Sequence, residues 1–143
     1  MEITDVRTIK VGVELDEPSG LSGDREIGSR GAAFVLVETD AGITGIGEGL
    51  CPEPYIIERI VEEKYAPRLI GEDPLAIERN WQAMLTQDLY WDKKGQGIAA
   101  ASGVDIALWD VIGKATGRPV GDLLGGTRRD AVTPYASTMY ITN

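Results

Sequence analysis

Apolar and polar residues alternate near the start of the chain, where residues 9–15 carry an apolar side chain at every second position. A period of two is typical of a half-buried β-strand, so we predict a first strand that begins near Ile3. Two further apolar runs, residues 32–39 and 43–47, are separated by a short polar segment that ends in Gly42, which suits a hairpin with this glycine in the left-handed conformation. The first fifty residues therefore predict three antiparallel strands.

From residue 54 onward the apolar residues recur at intervals of three and four, which is the spacing of amphipathic helices. We predict a first helix that begins at Pro54 and ends at Pro67, because proline suits a first helical turn and interrupts a helix interior. Asp73 and Pro74 predict the start of the next helix, as its N-cap and first helical residue. The predicted core-facing stripes of the two helices are Ile57, Ile60, Val61 and Tyr65 in the first and Ile77, Trp81, Met84 and Leu85 in the second.

A third helix is predicted over residues 98–116, because Gly117 and Pro119 follow it as a stop signal. Residues 132–138 then have the composition of a strand, and no later segment could pair with it. Strands followed by helices predict an α+β fold. The unpaired strand indicates a chain that continues into a further unit.

Composition and charge exclude several classes of function. The 143 residues are 43% hydrophobic and 26% charged, which is a globular profile, and their number allows one domain with a core. A net charge of −9 disfavours binding to nucleic acid phosphates or anionic lipid. One cysteine forms no intramolecular disulfide, and no segment resembles a signal peptide or reaches the ~20 apolar residues of a membrane span. We expect a cytoplasmic protein that binds neither nucleic acid nor membrane.

The chain contains no histidine, which removes histidine-based triads and the commonest zinc ligand. Asp105 and Asp110 are five residues apart, about 140° around a helix, so they cannot jointly hold one metal ion. Asp105 lies in an apolar run, and we interpret it as a partly buried structural acid. Asp110 and Lys114 are predicted to form a surface ion pair worth a few tenths of a kcal/mol.

Residues 45–49, with sequence GIGEG, superficially resemble a dinucleotide-binding turn. The match is poor, because Leu50 stands where the third glycine is needed and no helix begins at once. We interpret these glycines as sites of close backbone packing at a sheet edge. Glu48 is either a solvated acid or a residue on the rim of a site, and residues 16–29 are either a binding lid or a disordered loop.

Two stretches, AASGVDIALWDVIGKATGRPVGDLLGG at residues 100–126 and VETDAGITGIGEG at residues 37–49, resemble one protein family. They are similar to the amino-terminal capping domain of the mandelate racemase and muconate-lactonizing branch of the enolase superfamily. The resemblance implies a three-stranded antiparallel meander and a helical bundle over residues 1–127. Residues 128–143 would then begin a (β/α)₈ barrel that is absent from this chain, and the stretch at residues 101–126 would be scaffold that seats the cap on the barrel.

The resemblance also implies an enzyme. In this family a lysine or histidine removes a proton α to a carboxylate while Mg²⁺, held by three acids, stabilises the enediolate. This chain has no Lys-x-Lys pair and no ordered set of acids, so we assign it no catalytic residue and no metal ligand, and the barrel would bind Mg²⁺. The expected substrate is a small carboxylate such as a sugar acid, and the expected enzyme is a homo-oligomeric dehydratase or racemase, with cycloisomerase next. The alternative is a stand-alone, non-catalytic binding or interaction module.

Candidate substrate contacts follow from the same resemblance. Residues 16–29 correspond in position to the family's mobile specificity loop, and residues 48–55 to its second capping loop. In or beside these loops we expect Leu21, Ile27, Arg30, Cys51 and Tyr55 to contact substrate or exclude water. From the residues alone, Cys51 is a small apolar filler. At the barrel entry Ser137, Thr138 and Tyr140 are the residues expected to face the substrate.

Overall fold

The computed structural model describes residues 1–17, 21–22, 25–50, 54–86, 94–126 and 129–135, with the backbone alone described at 21–22 and 25–26. A three-stranded antiparallel sheet is followed by helices, which confirms the predicted α+β fold. The strands are β1 (Ile3–Glu14), β2 (Leu21–Ser22), β3 (Arg25–Glu26), β4 (Ser29–Thr39) and β5 (Thr44–Gly49). The helices are α1 (Pro54–Ile60), a π-helical turn (Val61–Tyr65), α2 (Ala66–Leu69), α3 (Ile77–Leu85), α4 (Gln96–Thr116) and α5 (Val120–Leu123).

The main sheet has the strand order β1-β4-β5, with β4 in the centre. β1 pairs with β4 along its whole length, from Ile3 opposite Thr39 to Glu14 opposite Ser29, whereas β5 pairs only with residues 33–38. Residues 11–14 and 29–32 therefore form a two-stranded extension, which we call the hairpin arm. β2 and β3 pair beyond the arm, so the segment predicted as a lid or a disordered loop contains a short β-ladder.

The predicted hairpin between β4 and β5 is confirmed. Gly42 has φ of 71°, the left-handed conformation that glycine adopts without steric cost. The Thr39 hydroxyl donates to the Ile43 carbonyl at 2.9 Å and accepts the Ile43 N–H at 3.2 Å, so one side chain satisfies both backbone groups across the turn.

The hydrophobic core lies between the inner face of the sheet and the helices. Val35 and Val37 of β4 are fully buried there, and so are Ile57, Val61, Tyr65 and Met84 of the two predicted helical stripes. The other members of those stripes, Ile60, Ile77, Trp81 and Leu85, are partly buried and pack against the core. The predicted core-facing stripes are thus confirmed. α4 adds its own fully buried residues, which include Ala100, Val104, Leu108 and Val111.

β5 and α4 approach so closely that their backbones touch. A Cβ atom added at Gly45 would lie 2.0 Å from the carbonyl oxygen of Ala107, and one at Gly47 would lie 2.1 Å from that of Gly103. Only glycine fits at these two positions, because any side chain would overlap the helix backbone. The structure confirms close backbone packing as the role of the glycine-rich stretch.

The first predicted helix does not end at Pro67, and this prediction was wrong. The helical path continues to Leu69 through the π-helical turn, in which the Ala66 N–H bonds to the Val61 carbonyl, five residues back. The turn shifts the hydrogen-bond register, so that Pro67 falls in the first turn of α2. Because a proline N–H is not needed in a first turn, the helix tolerates it there.

The second predicted helix begins three residues later than expected. The Asp73 carboxylate accepts the Leu75 N–H at 3.0 Å, and its carbonyl accepts the Ala76 N–H at 3.1 Å. Asp73 and Pro74 thus form a turn of the Asx type, which uses the aspartate side chain before any helix starts. The helix then begins at Ile77 with Ala76 as its N-cap.

Two further expectations about strands were wrong. Ile9, Val11 and Val13 lie in β1 as predicted, but they are 42%, 46% and 59% exposed, because the described helices cover only the opposite face of the sheet. Residues 132–135 form no strand, and Tyr135 is 88% exposed, because no described strand lies beside them to supply hydrogen bonds. Residues 136–138 lie outside the described residues. The third helix ends as predicted, at Gly117, with φ of 65°.

Candidate functional site

The first group of predicted site residues lies on the hairpin arm and beyond it. Arg30 is exposed on β4, directly across from Val13. Ile27 is half-buried and follows β3. Leu21 begins β2, and its side chain lies outside the described residues.

A shallow groove of about 400 Å³ lies on the hairpin arm. Its described lining residues are Val11, Gly12, Val13, Arg30, Gly31 and Ala32, so this surface is largely apolar and Arg30 is the one charged side chain among them. A guanidinium beside apolar groups suits a carboxylate ligand, since arginine can bind carboxylate oxygens through two parallel N–H groups.

The second group belongs to the segment between β5 and α1. Tyr55 is 56% exposed in the first turn of α1, and Cys51 lies outside the described residues. The start of α1 packs against the arm, because Pro54 Cγ lies 3.0 Å from the position of a Cβ atom at Gly31. The structure therefore places Gly31, the neighbour of Arg30, against Pro54, the neighbour of Tyr55.

Polar contacts hold β1 to the same helical segment. Lys10 Nζ lies 2.5 Å from Glu58 Oε2 of α1. Glu62 Oε1, in the π-helical turn, accepts the Thr8 N–H at 2.9 Å and the Thr8 hydroxyl at 2.6 Å. These bonds fix the position of the strand that leads into the arm. No sequence pattern signals them, because the partners are about fifty residues apart in the chain.

Asp105 and Asp110 have separate environments, in agreement with their predicted spacing around the helix. Burial, with a smaller contribution from the negative charge of Glu78, raises the pKa of the Asp105 carboxyl. No hydrogen bond or ion pair joins its side chain to another described residue. Asp110 pairs with Lys114 at 2.7 Å as predicted, and it also accepts the Ile46 N–H at 2.9 Å, a backbone contact that the prediction missed.

Metal ligands were not expected in this chain. Among the described residues, no three Asp, Glu, Cys or His side chains lie together so that they could hold a metal ion. The part of the chain described here therefore does not fit the Mg²⁺ that the resemblance implies. Ser137, Thr138 and Tyr140, expected at a barrel entry, lie outside the described residues. Within the described helices, none is both long and apolar enough to cross a bilayer.

Residues 3–125 match the family model described as "Mandelate racemase / muconate lactonizing enzyme, N-terminal domain". This chain belongs to that family. The match confirms the predicted resemblance, and the antiparallel sheet followed by helices is the architecture that the resemblance implied for this domain.

Curated relatives show how much of a longer protein this family member covers. The chain is 36% identical over 137 residues to the D-galactarolactone cycloisomerase of Agrobacterium fabrum, a match that covers 96% of this chain and 35% of that protein. It is 36% identical over 140 residues to a D-galactonate dehydratase family member of Salmonella virchow, covering 96% and 30%. The chain thus spans about a third of the length of these curated relatives.

Solved structures agree with the family assignment. The 3,6-anhydro-D-galactonate cycloisomerase from Zobellia galactanivorans superposes with a TM-score of 0.80 at 29% identity, over 94% of this chain and 35% of that one. A member of the enolase superfamily from Polaromonas sp. JS666 superposes with a TM-score of 0.76 at 35% identity, over 90% and 34%.

Proposed function

We propose that this family member is the capping and substrate-specificity part of an enzyme that abstracts a proton α to the carboxylate of a sugar acid. The observation that carries the proposal is the contact between Gly31 and Pro54, which places the hairpin arm against the start of α1. Residues expected to act together, Arg30 on the arm and Tyr55 on α1, thereby lie beside one contact. The arm and the second loop therefore lie side by side, and Arg30 is on the face of the arm opposite Pro54, with Val11 and Val13.

The substrate class rests on what the relatives are called. One relative is a D-galactarolactone cycloisomerase, and another belongs to a D-galactonate dehydratase family. Both names support a sugar-acid substrate for the whole protein. We propose dehydration or racemisation as its reaction, with cycloisomerisation next.

Within this function the residues of this chain bind, orient and exclude water. Arg30 would bind a carboxylate of the substrate from the groove on the arm. Leu21, Ile27, Cys51 and Tyr55 would cover the substrate and keep water from the reacting carbon. We also propose that Thr138 and Tyr140 face the substrate from the first strand of a barrel.

The remaining parts of the proposal concern the whole protein. Residues 1–127 would form the capping domain and residues 128–143 the start of the barrel, and the family match over residues 3–125 supports the first of these limits. Mg²⁺ would be held by barrel residues outside this chain, and when bound it would stabilise the enediolate. We further propose a cytoplasmic location and a homo-oligomeric state, and the exposed apolar residues Ile9 and Ile46 of the main sheet support the second of these.

The first test is the intact mass of the protein as it is naturally produced. A mass larger by a barrel of ~250 residues is expected. A mass of 15.4 kDa would contradict the enzyme and favour the alternative, a stand-alone binding module with the cap fold.

The second test addresses Arg30 in the longer protein, assayed with Mg²⁺ over a panel of sugar acids. We expect Arg30→Met to raise KM about tenfold or more with a smaller change in kcat, since a hydrogen bond to a charged group is worth about 1.5–3 kcal/mol. Arg59→Met is the matched control, because Arg59 is an exposed arginine that forms an ion pair with Glu63 on the same helical segment. Equal KM values for the two variants would contradict the role of Arg30.

A further inference from the structure

One edge of the main sheet is formed by β5, and two of its outward backbone groups are bound by side chains of α4. Lys114 Nζ donates to the Thr44 carbonyl at 2.7 Å, and Asp110 Oδ2 accepts the Ile46 N–H at 2.9 Å. The two side chains also bind each other, with Lys114 Nζ 2.7 Å from Asp110 Oδ2. One ion pair thus satisfies a carbonyl and an N–H two residues apart on the same strand.

A neighbouring strand would use these same two groups. In an antiparallel ladder every second residue directs its N–H and carbonyl to one side, and residues 44 and 46 direct theirs away from β4. An edge strand with free groups is a template for pairing with another chain. The lysine supplies the donor and the aspartate the acceptor that such a strand would offer.

The glycines of β5 explain why these helical side chains reach the edge. Gly45 and Gly47 let the α4 backbone contact the strand, so the helix lies directly against β5. Residues 110 and 114 are one turn apart on the same side of α4. Ile106, one turn earlier and 50% exposed, lies beside Gly47, which extends the same helical side along the strand.

We infer that Asp110 and Lys114 occupy the hydrogen-bonding positions of a fourth strand and keep the β5 edge closed to strand addition by a second copy of this chain. The opposite edge of the sheet, formed by β1, has a similar contact, because Glu62 accepts the N–H of Thr8. Carboxylates from helices therefore cover backbone groups at both edges of the main sheet. The inference does not depend on the proposed enzyme function.

The test removes the pair and measures both the edge and the assembly. In Asp110→Ala we expect the Ile46 amide to exchange with solvent about tenfold faster than in the unchanged protein, since its hydrogen bond to a charged acceptor is lost. Sedimentation should show a species of twice the original mass that grows with concentration. Lys114→Met, at an exposed position, should give the same species if Asp110→Ala folds poorly.

Two controls decide whether association uses this edge. Arg59→Ala breaks another exposed i, i+4 ion pair, with Glu63, and should leave the sedimentation unchanged. Ile46→Pro, added to Asp110→Ala, removes the outward N–H without removing a bond to β4 and should restore the original mass. The inference is overturned if neither Asp110→Ala nor Lys114→Met associates, if Arg59→Ala associates equally, or if Ile46→Pro does not reverse association.

Discussion

Two regions of the same sheet differ in how closely the chain covers them. Where β5 meets α4, a Cβ atom at Gly47 would lie 2.1 Å from a helix carbonyl, so no space remains for even a methyl group. On the outer side of the hairpin arm, Val11 and Val13 are 46% and 59% exposed. Both regions are apolar, yet only the first is completely covered by residues that the structure describes.

The difference separates residues that maintain the fold from residues available for other contacts. A position packed on all sides is constrained by folding, so its identity says little about a ligand or partner. Exposed apolar residues beside Arg30 have no such constraint within the described residues. We therefore expect substitutions on the arm of this chain to have little effect on stability.

The largest expected effect on stability comes from a substitution at the contact between β5 and α4. Gly47→Ala should lower the free energy of unfolding by about 3 kcal/mol, because the new methyl group overlaps the α4 backbone and the helix must move. Urea denaturation monitored by circular dichroism would measure this. Gly28→Ala, next to the arm with nothing within 4 Å of its added Cβ, should stay within about 0.5 kcal/mol of the original. Similar losses at the two glycines would contradict the comparison.

The same substitution at two valines sharpens the contrast. Val35→Thr places a hydroxyl in the core, where the side chain is fully buried, and should cost about 2 kcal/mol. Val11→Thr keeps a β-branched residue on the exposed arm and should change stability by less than about 0.5 kcal/mol. Thermal unfolding of both variants gives the comparison. A loss at Val11 as large as that at Val35 would show that the arm is covered within this chain.

A smaller effect on the free energy of unfolding is expected when two tyrosines, one buried and one exposed, are replaced by phenylalanine. The buried Tyr65 hydroxyl donates to the Gly97 carbonyl at 3.0 Å and ties the π-helical turn to the start of α4. Tyr65→Phe should cost about 1 kcal/mol, since it removes one buried hydrogen bond. Tyr55→Phe, at a 56% exposed position, should leave the unfolding free energy unchanged and serves as the control in the same denaturation series. Equal stability of the two variants would exclude a structural role for the Tyr65 hydroxyl.

The sequence predicts those features of the fold that depend on local periodicity. It does not predict features that depend on contacts between distant segments. The apolar stripes of the first helices and the stop at Gly117 follow from spacing and turn chemistry, and they are confirmed. The end of the first helix was misplaced, because the π-helical turn that accommodates Pro67 leaves no signature in composition. Likewise, alternation in β1 indicates a strand but not which of its faces the helices will cover.

Site prediction has the same limit. A resemblance to the family predicts Arg30 and Tyr55 as site residues, and their local sequence does not show that the arm packs on Pro54. The i, i+4 spacing of Asp110 and Lys114 reveals their ion pair, whereas their bonds to β5 require the tertiary contact made by two glycines. Side-chain contacts within one helix or strand can be predicted from the sequence, and contacts between different elements cannot.

The smallest expected effect on stability concerns Asp105, the partly buried acid of α4. Burial first, and Glu78 second, raise the pKa of Asp105, so the folded protein holds this proton at pH values where the unfolded chain has released it. The free energy of unfolding should therefore fall as the pH rises from the ordinary pKa of an aspartate to the raised pKa, and stay at the lower level above it.

Asp105→Asn cannot ionise and should lose this decline, so its stability relative to the original protein should increase across that acid range and remain higher at neutral pH. Denaturation at a series of pH values from about 3 to 7 measures the difference, with Asp122→Asn, on the exposed surface of α5, as the matched charge change. A difference between Asp105→Asn and the original protein that is constant over the whole series would contradict a raised pKa and show that the acid is solvated like a residue of the arm.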